Sequence, residues 1–135
     1  MGRIIAIDYG EKRTGIATTD PLKIIATPLT TVATADFFDF FSEYIKNEEV
    51  ELIIVGYPEY KENKTTTWQQ KIINFAKQLE KTFGIEVILY DESYTSALAS
   101  KAMVEGKMKK KNRQKKENID KLSATILLQD YLKIL

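Results

Sequence analysis

The chain has 135 residues, 44% apolar and 29% charged, with a net charge of +1, which gives room for one domain and not for two lobes. It contains no cysteine and no histidine, so disulfide frameworks, thiolate or imidazole zinc sites and Cys–His or Ser–His nucleophile pairs are excluded. Any catalytic metal must then be a hard, oxygen-bound ion, Mg²⁺ or Mn²⁺. No apolar run approaches the ~20 residues of a membrane span, and the N-terminus lacks a signal-peptide pattern, so a cytoplasmic protein with no membrane partner is expected.

In chain order, "RIIAID" (3–8) and "TGIATT" (14–19) are β-rich runs joined by "YGEKR", whose Gly10 supplies a tight turn. They predict a hairpin. "IIATPLTTV" (24–32) is a third strand, which Pro28 places at an edge. The period then changes: Phe37, Phe40, Phe41, Tyr44 and Ile45 mark one face of a helix that Thr34 or Asp36 would cap. "ELIIVGYP" (51–58) is a continuous apolar run, a strand buried on both faces. Trp68, Ile72, Phe75, Ala76, Leu79 and Phe83 form the stripe of a second helix that stops at Gly84. "IEVILYDE" (85–92) predicts another buried strand, and "YTSALASKAMVEG" (94–106) a shorter helix. The stretch "KMKKKNRQKK" (107–116) carries seven Lys or Arg residues and no acid. Removing those seven from the net +1 leaves −6, an acidic body with one basic segment. Ile119, Leu122, Ile126 and Leu132 mark a last helix from about 118.

This order predicts an α/β fold in one domain spanning 1–135: a mixed five-stranded sheet, order 3-2-1-4-5, strand two antiparallel, with helices on both faces. Three acids from distant segments then fall near one sheet edge. Asp8 lies toward the C-terminal end of strand one, Glu92 at the end of strand five, and Asp120 in the first turn of the last helix. A lone carboxylate in a buried strand is costly without a partner, and three together repel one another unless cations neutralise them. Two divalent ions held by such acids would hydrolyse a phosphodiester without a protein nucleophile. Lys12 and Arg13 in the hairpin, and Lys109, Lys110, Lys111, Arg113, Lys115 and Lys116, are suited to gripping a nucleic-acid backbone. Each residue also has a plain alternative: Asp8 as the ion-pair partner of Lys12 or Arg13, Glu92 and Asp120 as solvated acids, the basic run as a solvated loop.

"IDYGEKRTGIATTD", "IIVGYP", "VILYDESYTS" and "NIDKLSATILLQDYL" together resemble the YqgF/RuvX family, a compact bacterial branch of the ribonuclease H-like superfamily. The resemblance runs the whole length. It implies a metal-dependent nuclease whose ligands fall on Asp8, Glu92 and Asp120, acting on precursor 16S ribosomal RNA or on branched DNA such as a Holliday junction. A four-way junction would favour a homodimer; end-trimming needs none. Two departures bear on substrate: Ser93 stands where the family has Arg, and Gly56-Tyr57-Pro58 where it has Gly-Leu-Pro. Two competitors remain, a nucleic-acid-binding module with a weakened site and a kinase-like phosphate loop at "DYGEKRTG", for which the chain is too short.

Overall fold

The computed structural model describes residues 2–58, 66–91 and 116–133, the last segment with side chains from 122 onward. Five strands, β1 (Arg3–Asp8), β2 (Arg13–Thr19), β3 (Ala26–Ala33), β4 (Val50–Tyr57) and β5 (Glu86–Asp91), form one sheet in the order β3-β2-β1-β4-β5. β2 runs antiparallel to both neighbours, while β1, β4 and β5 are parallel. This is the expected mixed sheet. Pro28 sits in β3, the edge strand, opposite Ala17 and beside a register shift, where its missing N–H disturbs the ladder least.

Alternation along the central strands feeds two unlike cores. Ile5, Ile7, Ile16, Ile53 and Val55 point to a layer made by α1 (Phe37–Asn47) and α2 (Thr67–Phe83), which adds Phe37, Phe41, Ile72, Phe75 and Leu79. On the other face Ile4, Ala6, Ala17, Ala26 and Ile54 meet Ala124, Leu127 and Leu128 of α3 (Lys116–Leu132). Small side chains on both partners let this helix approach the sheet closely.

Three expectations need correcting. β5 is not buried on both faces: Glu86, Leu89 (40%) and Asp91 are exposed and none of its residues is fully buried, because β5 borders only β4 among the described strands. The buried face of α3 is Ser123, Ala124, Thr125, Leu127 and Leu128, whereas Leu122 and Ile126 are only half-buried. Neither Thr34 nor Asp36 caps α1 through its side chain; Thr34 is used elsewhere, as described below. α2 is capped at both ends, by a reciprocal Thr66–Gln69 box and by left-handed Gly84 (φ 68°). Gln69 also donates to the Pro58 carbonyl, tying α2 to the end of β4. The helix proposed for 94–106 lies outside the described residues. Among the described residues no helix is long and apolar enough to cross a membrane.

The β2–β3 loop is organised by one carboxylate. Asp20 accepts the N–H groups of Ile25, Ile24 and Leu22, and the first of these does most to hold its pKa below the usual value. Glu51 is likewise lowered, by the Lys23 ammonium and then by the Gly2 N–H. A carboxylate with a depressed folded-state pKa stabilises the fold above its unfolded value, and that contribution disappears as pH falls through the folded value. Melting temperature should therefore drop on acidification from about pH 5 to about pH 3, and drop less in Asp20→Asn. Both groups are exposed, so the difference should be small and should shrink in high salt.

Candidate active site

β1 ends on a carboxylate. Ile4 and Ala6 face α3, so alternation puts Asp8 on that same face, where it is half-buried. Directly opposite it in β2 stands Gly15. In β4, one step beyond the Ile7–Val55 pair, stands Gly56. Neither flanking strand thus places a side chain beside Asp8 on the α3 face. The role of these two glycines beside Asp8 escaped the reading of the sequence, although both sit in the quoted motifs. Their signal is positional and appears only once the register is known.

The other expected site residues divide sharply. Asp120 is the fifth residue of α3, because the helix starts at Lys116 rather than near 118, so it lies in the second turn. Its position is four residues before Ala124 and seven before Leu127, on the stripe that faces the sheet. Glu92 follows β5 immediately and lies outside the described residues, as do Lys109, Lys110, Lys111, Arg113 and Lys115. Lys116 opens α3, and its side chain, like that of Asp120, is not among those described. Among the described residues no three acidic side chains form a metal-holding group.

Lys12 and Arg13, adjacent in sequence, part company. Arg13 is two residues from Gly15 in β2, so it shares the α3 face with Asp8 and lies diagonal to it, half-buried. Lys12 is exposed and lines a cleft on the opposite side of the sheet edge. This cleft, about 680 Å³, is walled by Tyr9, Glu11 and Lys12 of the β1–β2 turn, by Thr34 and Phe38, and by Lys71, Asn74, Phe75 and Gln78 of α2. Tyr9 is held in a stack with Phe75 and Trp68, ring centroids 4.2 and 5.5 Å away.

The turn between Asp8 and Arg13 is pinned by Thr34. Its hydroxyl donates to the Gly10 carbonyl at 2.6 Å and lies 2.8 Å from the Thr14 hydroxyl, while its N–H bonds the Lys12 carbonyl at 2.9 Å. A Cβ on Gly10 would fall well inside van der Waals contact with the Arg13 carbonyl oxygen. The turn therefore requires glycine for space. The resulting arrangement presents a carboxylate on one side of a rigid turn and a basic, aromatic-floored cleft on the other.

A family model described as "RuvX: Holliday junction resolvase" matches residues 2–134. A protein of Amoebophilus asiaticus named "Putative pre-16S rRNA nuclease" is 53% identical over 133 residues, covering 98% of this chain and 94% of its own. A relative of the same name from Phocaeicola vulgatus is 50% identical, covering 98% and 96%. Among solved structures, Thermus thermophilus RuvC in complex with a Holliday junction substrate superposes with a TM-score of 0.59 at 15% identity, covering 99% of this chain and 96% of that one. At that identity the likeness establishes the shared ribonuclease H-like fold.

Gly10→Ala should destabilise the protein by about 1–3 kcal/mol, the range for forcing an atom into filled space. Urea unfolding checks this; a variant as stable as the original would show that the turn can open at no cost.

Proposed function

This chain belongs to the RuvX family, and from that membership together with the carboxylate ending β1 we propose that it is a divalent-metal-dependent nuclease acting on precursor 16S ribosomal RNA. Divalent-metal dependence is general for this fold. The observation that carries the assignment is the setting of Asp8. It ends a strand buried on both faces, at the carboxyl edge where sites of α/β sheets gather, with a glycine on either side. A chain with no histidine or cysteine offers such a metal only oxygen donors, and a strand-end carboxylate flanked by glycines fits that requirement.

We assign the metal-holding set to Asp8, Glu92 and Asp120. Its support is positional: Ile88 and Tyr90 of β5 lie on the α3 side, and Glu92 is the second residue after Tyr90 in the sequence. Asp120 belongs to the helix covering that face. Asp8, Glu92 and Asp120 would hold the divalent cations, which would supply an activated water and charge stabilisation for an in-line displacement at phosphorus. Arg13, on the same face, would orient the scissile phosphate, and Lys12 and the basic run 107–116 would hold the flanking backbone. Ribosomal RNA is favoured as substrate because relatives sharing half their residues with this chain carry that name. The family description favours a four-way DNA junction as the second reading, and that substrate would call for two copies of the chain.

Incubation with Mn²⁺ and either a precursor 16S rRNA fragment or a four-way junction decides the substrate: cleavage of the RNA alone is expected. Asp8→Asn should abolish metal-dependent cleavage. It should leave the metal-free protein about as stable, because Asn keeps the shape and most of the hydrogen-bonding capacity of the side chain. Mn²⁺ should raise the melting temperature of the original protein and do much less for the variant. If Asp8 is instead the structural partner of a basic side chain, Asp8→Asn will destabilise by about 1–3 kcal/mol, with no Mn²⁺ effect on either protein.

A further inference from the structure

The cleft on the far side of the β1–β2 turn has no part in the assignment of the metal-holding carboxylates. We propose that it receives an unpaired nucleotide of the substrate strand that flanks the cleaved bond. This rests on the nuclease reading above and specifies which form of nucleic acid that nuclease engages.

Position is the first reason. Tyr9, Glu11 and Lys12 form one wall of the cleft, and they begin at the residue after Asp8. Asp8 points to the α3 face, whereas Tyr9 stacks into the α2 side. A strand engaged at Asp8 and carried over the end of β1 arrives directly at the cleft.

The chemistry of the walls is the second reason. The floor is aromatic, from Tyr9, Phe38 and Phe75, and the rim carries two exposed amides, Asn74 and Gln78, with the ammonium groups of Lys12 and Lys71. Each amide offers both donors and an acceptor, matching the mixed pattern on the edge of a base that is not paired. The Asn74 carbonyl oxygen already accepts from Gln70, so its NH₂ is the group turned to other use. Lys12 has no ion pair among the described residues and is available to a phosphate. A volume of about 680 Å³ lies within the usual range for small-ligand clefts.

Rigidity is the third. The Thr34 hydrogen bonds and the Trp68–Tyr9–Phe75 stack fix the wall before anything binds, which lowers the entropy lost on binding. Glu11 works against an anionic ligand, and its carboxylate holds the Lys71 ammonium at 3.2 Å. Removing that carboxylate frees Lys71.

Binding is measured without divalent metal, so that nothing is cleaved, on a labelled duplex with a three-nucleotide single-stranded extension and on its blunt counterpart. RNA and DNA extensions are both tested. The original protein should prefer the extended duplex, and the fluorescence of Trp68, the sole tryptophan, should change only with it. Asn74→Ala combined with Gln78→Ala should remove the preference, roughly a tenfold loss for the hydrogen bonds to one base edge. Both positions are exposed on α2, where alanine is the best helix former, so the fold should persist. Glu11→Gln should tighten binding of the extended duplex severalfold, a gain that misfolding could not produce. Equal affinity for extended and blunt duplexes in the original protein would overturn the proposal. So would a preference that survives the double substitution, or a free mononucleotide that displaces no extended duplex yet alters Trp68 fluorescence. Failure of the nuclease reading looks different: no metal-dependent cleavage, with the preference for the extension intact.

Discussion

Everything near the candidate site depends on the burial of β1 on both faces. Ile4, Ile5, Ala6 and Ile7 are each 2% exposed or less, and every fully buried isoleucine contributes roughly 1.5–3 kcal/mol. No ionised group could replace any of them without forfeiting that and adding a desolvation penalty. The end of the strand is the first position where a carboxylate is tolerated, and that position is Asp8. The period of two also fixes its side. A slip of one residue would send Ile5 and Ile7 into the small-residue layer beneath α3 and turn Asp8 toward the phenylalanine-rich layer of α1 and α2. Pairing with β2 and β4 therefore sets the register of the sheet and the face of the carboxylate together.

The two layers differ in grain, and the difference serves the site. On the α1/α2 side the isoleucines of the sheet meet a web of aromatic rings, with Phe37, Phe41 and Phe75 at its centre. On the α3 side Ala6, Ala17 and Ala26 meet Ala124. A helix seated on alanines lies close to the strands, so the helix that carries Asp120 runs over the same face as Asp8. Large side chains on that face would hold the helix away from the strand ends. The bulky layer has a different use, since it supplies the aromatic floor of the cleft.

The sheet order, the hairpin, the edge position of Pro28 and the stop at Gly84 were all legible, because each has a strong local signal: a clean period, a missing N–H, or a left-handed turn. The buried face of α3 was not. Searching for large apolar residues selects Leu122 and Ile126, whereas close packing on alanines selects Ser123, Ala124 and Thr125. The exposure of β5 was hidden for another reason, since a short apolar run looks the same in an edge strand and a central one. Thr34 has the sequence signature of a helix cap and spends its hydroxyl on a turn 24 residues earlier, at Gly10. Asp8 could be singled out because it breaks an apolar strand. Gly15, Gly56 and the cleft could not, because they become neighbours of one another or of Asp8 only through the register and the packing of α2.

The divergence of Lys12 and Arg13 bears on how the proposed nucleic-acid substrate would meet the molecule. Outside the basic run the chain carries a charge of −6, so most of its surface repels a phosphate backbone, and binding is confined to where cations are gathered. Arg13 lies on the α3 face with Asp8, and Lys12 on the far side with Lys71. A ligand lying flat on either face of the sheet could reach only one member of the pair. One that crosses the sheet's carboxyl edge at the β1–β2 turn can reach both. The turn itself is held in place, closed by Gly10 and clamped by Thr34. Binding across an edge needs a strand that bends sharply there, which a paired helix resists and a single strand permits. If both cations hold the backbone as proposed, their placement on opposite faces would select for unpaired or locally opened nucleic acid, independently of any contact with a base.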